Sequence, residues 1–552
     1  MTQFHCLSYL SNGLNFSEGK IIKKKTIKME SNIAPHGMVV TPHHLATQSA
    51  LAILRDGGTA VEAMVSAAAT IAVVYPHMNS IGGDAFWLII PPHGDPIAIE
   101  ACGAAGSLAT PEFFKDYDKI PYRGYKSAIT VAGTVGGWEK ALNYVAECGY
   151  QRTSVSKLLA DAIHYARNGF PMTKSQRAGL IKNKDALSHE LKRVFIPDGE
   201  IPNVGDVFCQ KQLAKTLESL AENGLNSFYK GEVGNLIAED MSSLGMVITK
   251  SDLENYSAEI KTPLRLLHSH GDIFNTPPPT QGLVSLAILG VLDKLGINGD
   301  NEGQFIHATV EATKQAFLMR DKHITDPAFM KTNPLSLISS QALFNMASEI
   351  NPKAVAKAES EGPGDTIWMG IMDNKGFSVS FIQSIYHEFG SGVLLPKTGI
   401  TWHNRGVAFN LEKDHILSLK PGKKPFHTLN PAAARLRDGR VMVYGTRGGD
   451  GQPQTQASIF HRYVVQGVGL QQSVSAPRWL YGRIAGDPDT TLKMENRFKE
   501  ETVQYLKDRG HEIVLLPEYS EVTGQAGALV RHPNGMLEGA FDLRSNGSAA
   551  GF

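Results

Sequence analysis

Only four cysteines occur among the 552 residues. Cys6, Cys102, Cys148 and Cys209 are scattered without CxxC spacing, which excludes a zinc–cysteine cluster and a secreted disulfide framework. Cys102, in "EACGAAG", reads as a small buried hydrophobe rather than a reactive thiol. An excess of charge is missing too, because 54 Lys and Arg balance 54 Asp and Glu. Nothing therefore points to nucleic acid or an anionic membrane as partner. No apolar run approaches about 18 residues, so no transmembrane helix is expected. There is no HExxH or comparable motif, which leaves His43, His44, His77 and Asp84 as the best ligand set for a metal-hydrolase reading. Neither a metal nor a cofactor is expected, and neither an internal repeat nor a low-complexity linker is visible.

The N-terminus, "MTQFHCLSYLSNGLNFSEGKIIKKKTIKME", carries its lysines after its apolar residues, the reverse of a secretory signal. The expected location is the cytoplasm. Residues 1–33 read as a disordered extension, with Met29 as an alternative start and "KIIKKKTIK" as a solvated tail.

What is abundant is glycine, at 54 residues, in a chain too long for one ordinary core. "HHLATQSALAILRDGGTAVEAMVSAAATIAVVYP" predicts two helices parted by Gly57 and Gly58, with Thr59 and Glu62 as a capping box. "SIGGDAFWLIIPP" predicts a turn into an apolar strand. Residues 150–360 read as largely helical. After them the pattern changes: "TIWMGIMD", "NKG" and "FSVSFIQSI" predict a hairpin whose second strand alternates Phe377, Val379 and Phe381 against Ser378 and Ser380. "VMVYGTRGG" and "AGALVRH…GMLEGAFD" add strands. Helical layers with a largely antiparallel sheet give a layered α/β class, both halves sharing one core.

Thr366 stands where "EGPGD" meets that apolar strand. One reading is a turn leading into a strand. The other is a chain that cuts itself before Thr366, because a threonine hydroxyl needs an adjoining base and a terminal threonine carries its own amine. Such an amine ionises near about 7.7–8 in model peptides. An oxyanion hole is also needed, and Gly448-Gly449 in "GTRGGDGQPQ" supplies backbone N–H groups that a reacting group can approach closely.

Six segments, in order, resemble the gamma-glutamyltranspeptidase family of N-terminal-nucleophile hydrolases, from about residue 34 onward. They are "YPHMNSIGGDAFW", "VAGTVGGWEKAL" (with Ala132 where proline is usual), "GDTIWMGIMDNKGFSVSFIQSIYHEFGSG", "PFHTLNPA", "GTRGGDGQPQTQ" and "EGAFDLRSNGSAAGF". The third carries Asp373 and Gly376 at its turn and closes on Phe389-Gly390. The resemblance implies a four-layer αββα sandwich and a proenzyme cut between Asp365 and Thr366. The products would be a large chain, 34–365 behind its extension, and a small chain, 366–552. They would form a heterodimer, with pairing of two heterodimers expected. Thr366 would be the nucleophile, with Ser384, eighteen residues on, supporting its geometry and Gly448 and Gly449 holding the oxyanion.

The chain departs from the pattern where a gamma-glutamyl substrate would be gripped. Glu100 stands at the usual arginine, Ala408 at the amine-binding acid, and His427-Thr428 at a serine pair. Arg405 follows Asn404. Losing the acid removes the partner of a substrate ammonium, while gaining Arg405 adds a planar fork for a carboxylate. The expected substrate is a small amide bearing a carboxylate but no α-amine. Asn404, Arg405, His427, Thr428 and Tyr386 are the binding candidates. For Arg405 the bland reading is a pair with a protein acid, and for His427 a satisfied core histidine. Strand alternation implies that only one of Tyr386 and His387 faces the pocket. These replacements resemble the family's oxamate amidohydrolase-like branch. The alternatives are a gamma-glutamyltransferase or glutathione hydrolase using Glu100 or Glu388 for the amine, the metal hydrolase above, and a non-processing binding module.

Overall fold

A computed structural model describes residues 30–355, 364–484 and 487–552. Two seven-stranded sheets form its centre. One runs, edge to edge, Ser548–Gly551, Gly37–Thr41, Asp365–Asp373, Ser378–Tyr386, Asp84–Ile90, Ile97–Ala101 and Glu259–Lys261. The other runs Asn32–Ala34, Leu537–Phe541, Ala526–Arg531, Val441–Thr446, Ala432–Leu436, Gly271–Asn275 and Leu264–His268. Every pairing within both sheets is antiparallel. Each sheet draws strands from both sides of residue 366.

Side-chain alternation assigns the faces. Phe86, Leu88, Trp368, Met372 and Ile382 of the first sheet meet Ala433, Val443 and Leu529 of the second. Ile367, Met369 and Ile371 point the other way, into helices that include His44–Arg55, Ala60–Val74 and Val155–Asn168. On the far side, Ala434, Met442 and Tyr444 pack under Gly282–Leu295, Glu302–His323 and Gly451–Phe460. The layers are therefore α, β, β, α.

The capping box forms as expected: the Glu62 N–H donates to Thr59 Oγ1, and Glu62 accepts from the Thr59 N–H. Three short strands, Glu259–Lys261, Leu264–His268 and Gly271–Asn275, interrupt the stretch expected to be largely helical and supply an edge to each sheet. Asn32 and Ile33, placed in the extension by the sequence reading, pair with Gly539 and Glu538 at the edge of the second sheet.

Ser378 and Ser380 do not face solvent, because this sheet is covered on both sides; both are fully buried. Ser380 Oγ accepts from Trp368 Nε1 at 2.9 Å. The Trp368 indole fills a slot that only glycine leaves open. A Cβ at Gly445 would lie 2.2 Å from Cδ1 of the ring, and one at Gly527 would lie 2.4 Å from Cζ3. Gly445→Ala is expected to cost about 1–3 kcal/mol through this overpacking, read as a lowered denaturation midpoint.

Candidate functional site

The site grows from the register of one hairpin. Met372 pairs with Ser378 and Ile367 with Gln383, so the ladder sets Thr366 opposite Ser384. There it slips by one: Asp365 stands opposite Tyr386 rather than Ile385. The extra residue is a bulge, a feature that re-aims side chains beside active sites. It lies on the Ser378–Tyr386 strand, across from Thr366. Thr366 Oγ1 donates to Ser384 Oγ at 3.1 Å, and the Tyr386 N–H donates to the same oxygen at 2.8 Å. Both hydroxyl residues are buried. They share the face of Trp368 and Ser380, so they sit at one end of the space between the sheets.

Across that space, Tyr444 of Val441–Thr446 accepts a 3.4 Å hydrogen bond from Ser380. The same strand runs through Arg447 into Gly448 and Gly449, whose φ values of +121° and +52° belong to the region that favours glycine. Neither glycine N–H donates to a protein group among the described residues. Their carbonyls start the helix Gly451–Phe460. Gln281 Nε2 clamps this loop, donating to the carbonyls of Gly449 at 2.8 Å and Thr428 at 2.9 Å. Buried Arg320 pairs with Asp450 at 2.8 Å immediately beyond the glycines. Sequence reasoning missed Gln281 and Arg320; Gln281 stands at the start of an apolar helix and Arg320 near the end of a mixed polar and apolar one, where no local signal distinguishes either.

Arg405 opens a short 3-10 turn, Arg405–Ala408, and is buried. Its guanidinium lies 3.6 Å from the Tyr386 ring centroid, and Nη2 donates to Thr428 Oγ1 at 3.3 Å. Asn404 serves the scaffold: Nδ2 reaches the Tyr122 carbonyl at 2.9 Å and His387 Nδ1 at 3.0 Å, and Oδ1 accepts from the His387 N–H at 3.3 Å. The strand alternation on which the reading of Tyr386 and His387 rested is interrupted here. Tyr386 has φ +76°, which takes the chain out of strand alternation, and the two rings lie 3.9 Å apart. Burial, with the charges of Arg123 and Arg405, holds the His387 pKa well below its usual range.

His427 is fully buried, edge-on to Phe86, with Nε2 3.4 Å from Asp84 Oδ2. His403 Nδ1 approaches the same carboxylate oxygen at 3.3 Å, and Asp84 Oδ1 accepts from the Gly133 N–H at 3.0 Å. Burial and then Arg405 push His427 well below the ordinary histidine pKa. Asp84 thus centres a histidine cluster behind Arg405, its position fixed by Ser384, its partner in the ladder. The metal reading's set of His43, His44, His77 and Asp84 is not among the ligand groupings formed by the described residues.

The candidate acids for a substrate amine have partners. Glu100 is buried against Lys424. Glu388 pairs with Lys182 at 3.0 Å and Asn183 at 2.8 Å. Burial pulls Glu388 upward, but Lys182 and Asn183 outweigh it and hold the carboxyl below its ordinary range. Glu388 lines a cavity of about 540 Å³ whose wall also holds Tyr122, Arg123, Lys174, Lys182 and Arg447. No helix among the described residues is long and apolar enough to cross a membrane.

Known proteins resemble this chain along almost its whole length. The gamma-glutamyltranspeptidase family model fits residues 46–552. The oxamate amidohydrolase proenzyme of Klebsiella pneumoniae is 55% identical over 95% of this chain and 99% of its own length. The glutathione hydrolase-like YwrD proenzyme of Bacillus subtilis is 38% identical over 95% and 99%. The crystal structure of cephalosporin acylase from Bacillus halodurans superposes with a TM-score of 0.87 at 30% identity, covering 95% of this chain and 97% of that one. With its two stacked sheets and threonine-headed hairpin, this chain belongs to the gamma-glutamyltranspeptidase family of N-terminal-nucleophile enzymes.

Proposed function

We propose that the protein is a self-processing threonine amidohydrolase acting on a small carboxylate-bearing amide of the oxamate type. The observation that carries the reading is the 3.1 Å bond from Thr366 Oγ1 to Ser384 Oγ, made at the bulge across from the Asp365–Thr366 peptide. In the precursor, Oγ1 attacks the Asp365 carbonyl carbon. The peptide C–N bond breaks in favour of an ester, and water hydrolyses it. Chain 1–365 then ends in a carboxylate and chain 366–552 begins with a free amine. The two remain one heterodimer because both sheets contain strands of each.

In turnover, the Thr366 amine takes the proton of Oγ1 as that oxygen attacks the substrate carbonyl. The N–H groups of Gly448 and Gly449 receive the oxyanion. The proton passes to the departing nitrogen, ammonia leaves, and water cleaves the acyl ester. Ser384 holds Oγ1 in line. Ser384→Ala is expected to lower kcat about 10²-fold with little change in KM, since the bond it removes orients the nucleophile rather than the substrate.

Substrate choice rests on charge. Arg405, stacked on Tyr386 and braced by Thr428, offers a fork to a carboxylate. Ala408 occupies the expected amine-binding position and carries no charge, while Glu100 and Glu388 are held by lysines. His427, kept neutral by burial, supports the pocket as a hydrogen-bonding group rather than a cation. Ammonia release from oxamate, assayed beside a gamma-glutamyl anilide, tests the reading. Turnover of oxamate well above the anilide is expected; the reverse order would make the protein a gamma-glutamyl enzyme.

A further inference from the structure

A second cluster of chemistry-bearing side chains lies away from Thr366, at the turn "HSHGD" joining Leu264–His268 to Gly271–Asn275. Ligand atoms of His268, His270 and Asp293 all come within 4.8 Å of one another. They line a cavity of about 330 Å³, and His461 lines the same cavity from the helical layer. His461 is buried, and its Nε2 has no hydrogen-bond partner among the described residues. It begins a five-residue π-helical stretch, His461–Val465, that continues Gly451–Phe460; such π-bulges recur at functional positions. We propose that His268, His270 and Asp293 form a binding site for a divalent transition-metal ion of the Zn²⁺ or Co²⁺ kind, in a cavity that His461 also lines.

The donor set decides the class of ion. Two imidazoles and one carboxylate suit borderline transition metals, whereas Mg²⁺ and Ca²⁺ require oxygen. His268 Nε2 and Asp293 Oδ1 are 3.6 Å apart. That is too long for a hydrogen bond, yet close to the separation of about 3.4 Å between ligands on a tetrahedral ion with bonds of about 2.0–2.1 Å. Outer-shell partners are in place: His270 Nδ1 meets Ser269 Oγ at 2.9 Å, leaving Nε2 for the ion, and the Ser269 N–H donates to Asp293 Oδ2 at 3.2 Å. The His270 N–H donates to His268 Nδ1 at 3.2 Å, so unloaded His268 carries its proton on Nε2, facing Asp293. Loading moves that proton to Nδ1, so His268 stays a neutral ligand and gives up this bond.

The other grouping, His307, Glu311 and His511, is different in kind. His307 is engaged by His511 and by the Asn351 carbonyl, each at 2.8 Å, and Glu311 by Lys314 and the Val355 N–H. Its donors are already used. At the first cluster an ion would staple an edge hairpin to the helix Gly282–Leu295.

The test uses untagged full-length protein treated with chelator and titrated with Co²⁺ alone. A visible d–d band of tetrahedral Co²⁺ saturating at one ion per chain is expected, with a rise in Tm on adding Zn²⁺. Asp293→Asn and His270→Gln, both at half-buried positions, should each weaken Co²⁺ binding at least ~10-fold and remove the Tm shift, while His511→Gln leaves both intact. Absence of the band, survival of binding in both variants, or its loss only in His511→Gln would overturn the assignment.

Discussion

Thr366→Ala protein is expected to be recovered as one uncut chain without measurable amidase activity. The substitution removes a single oxygen and a methyl group from a buried position, and with them one hydrogen bond, to Ser384. That local loss leaves the sheets in place, so the folded precursor should persist. What disappears is the only oxygen on residue 366 able to attack the Asp365 carbonyl, and with it the later attack on substrate. Removing the nucleophile of a hydrolase costs about 10⁴–10⁶-fold in rate, which puts the remaining activity below detection. Thr366→Ser supplies the complementary check. It restores an oxygen at the same place, so cutting and activity should both return, although more slowly because the lost methyl fixes the rotamer. Intact mass and ammonia release, measured on the same samples, read both effects.

The second large effect is expected at Arg405. Arg405→Met should lower kcat/KM for oxamate by about 30- to 4,000-fold, the equivalent of about 2–5 kcal/mol for removing one partner of a buried charge pair. For a neutral amide of similar size the loss should be small, because no carboxylate is left unpaired. The contrast between the two substrates separates a binding role from damage to the fold. Arg405→Lys keeps the charge but loses the planar stack on Tyr386 and the forked geometry, so it should recover only part of the oxamate activity. An equal loss on both substrates would instead assign Arg405 to the scaffold.

The hairpin was the most legible part of the site. Thr366 and Ser384, assigned from the family resemblance, lie symmetrically about the "NKG" turn, and the ladder pairs their neighbours Ile367 and Gln383. Ser378 and Ser380 show what alternation leaves open. Alternation identifies two faces but not what covers them, and here a second sheet covers the serine face. Tyr386 and His387 escaped the period altogether, because the bulge and a φ of +76° ended the strand between them. His403 and His427 each meet Asp84 only through tertiary packing, across more than 300 positions of sequence. Gln281 clamps the Gly449 loop from the start of an apolar helix, and its role depends wholly on a backbone carbonyl far away in the chain.

The most direct test is the intact mass of active, purified wild-type protein, with the N-terminal residue of the smaller fragment identified. Two chains are expected, the smaller beginning at Thr366 and the larger ending at Asp365. A single unbroken mass in active material, or a small fragment that begins at any other residue, would contradict the assignment of Thr366 as both nucleophile and base.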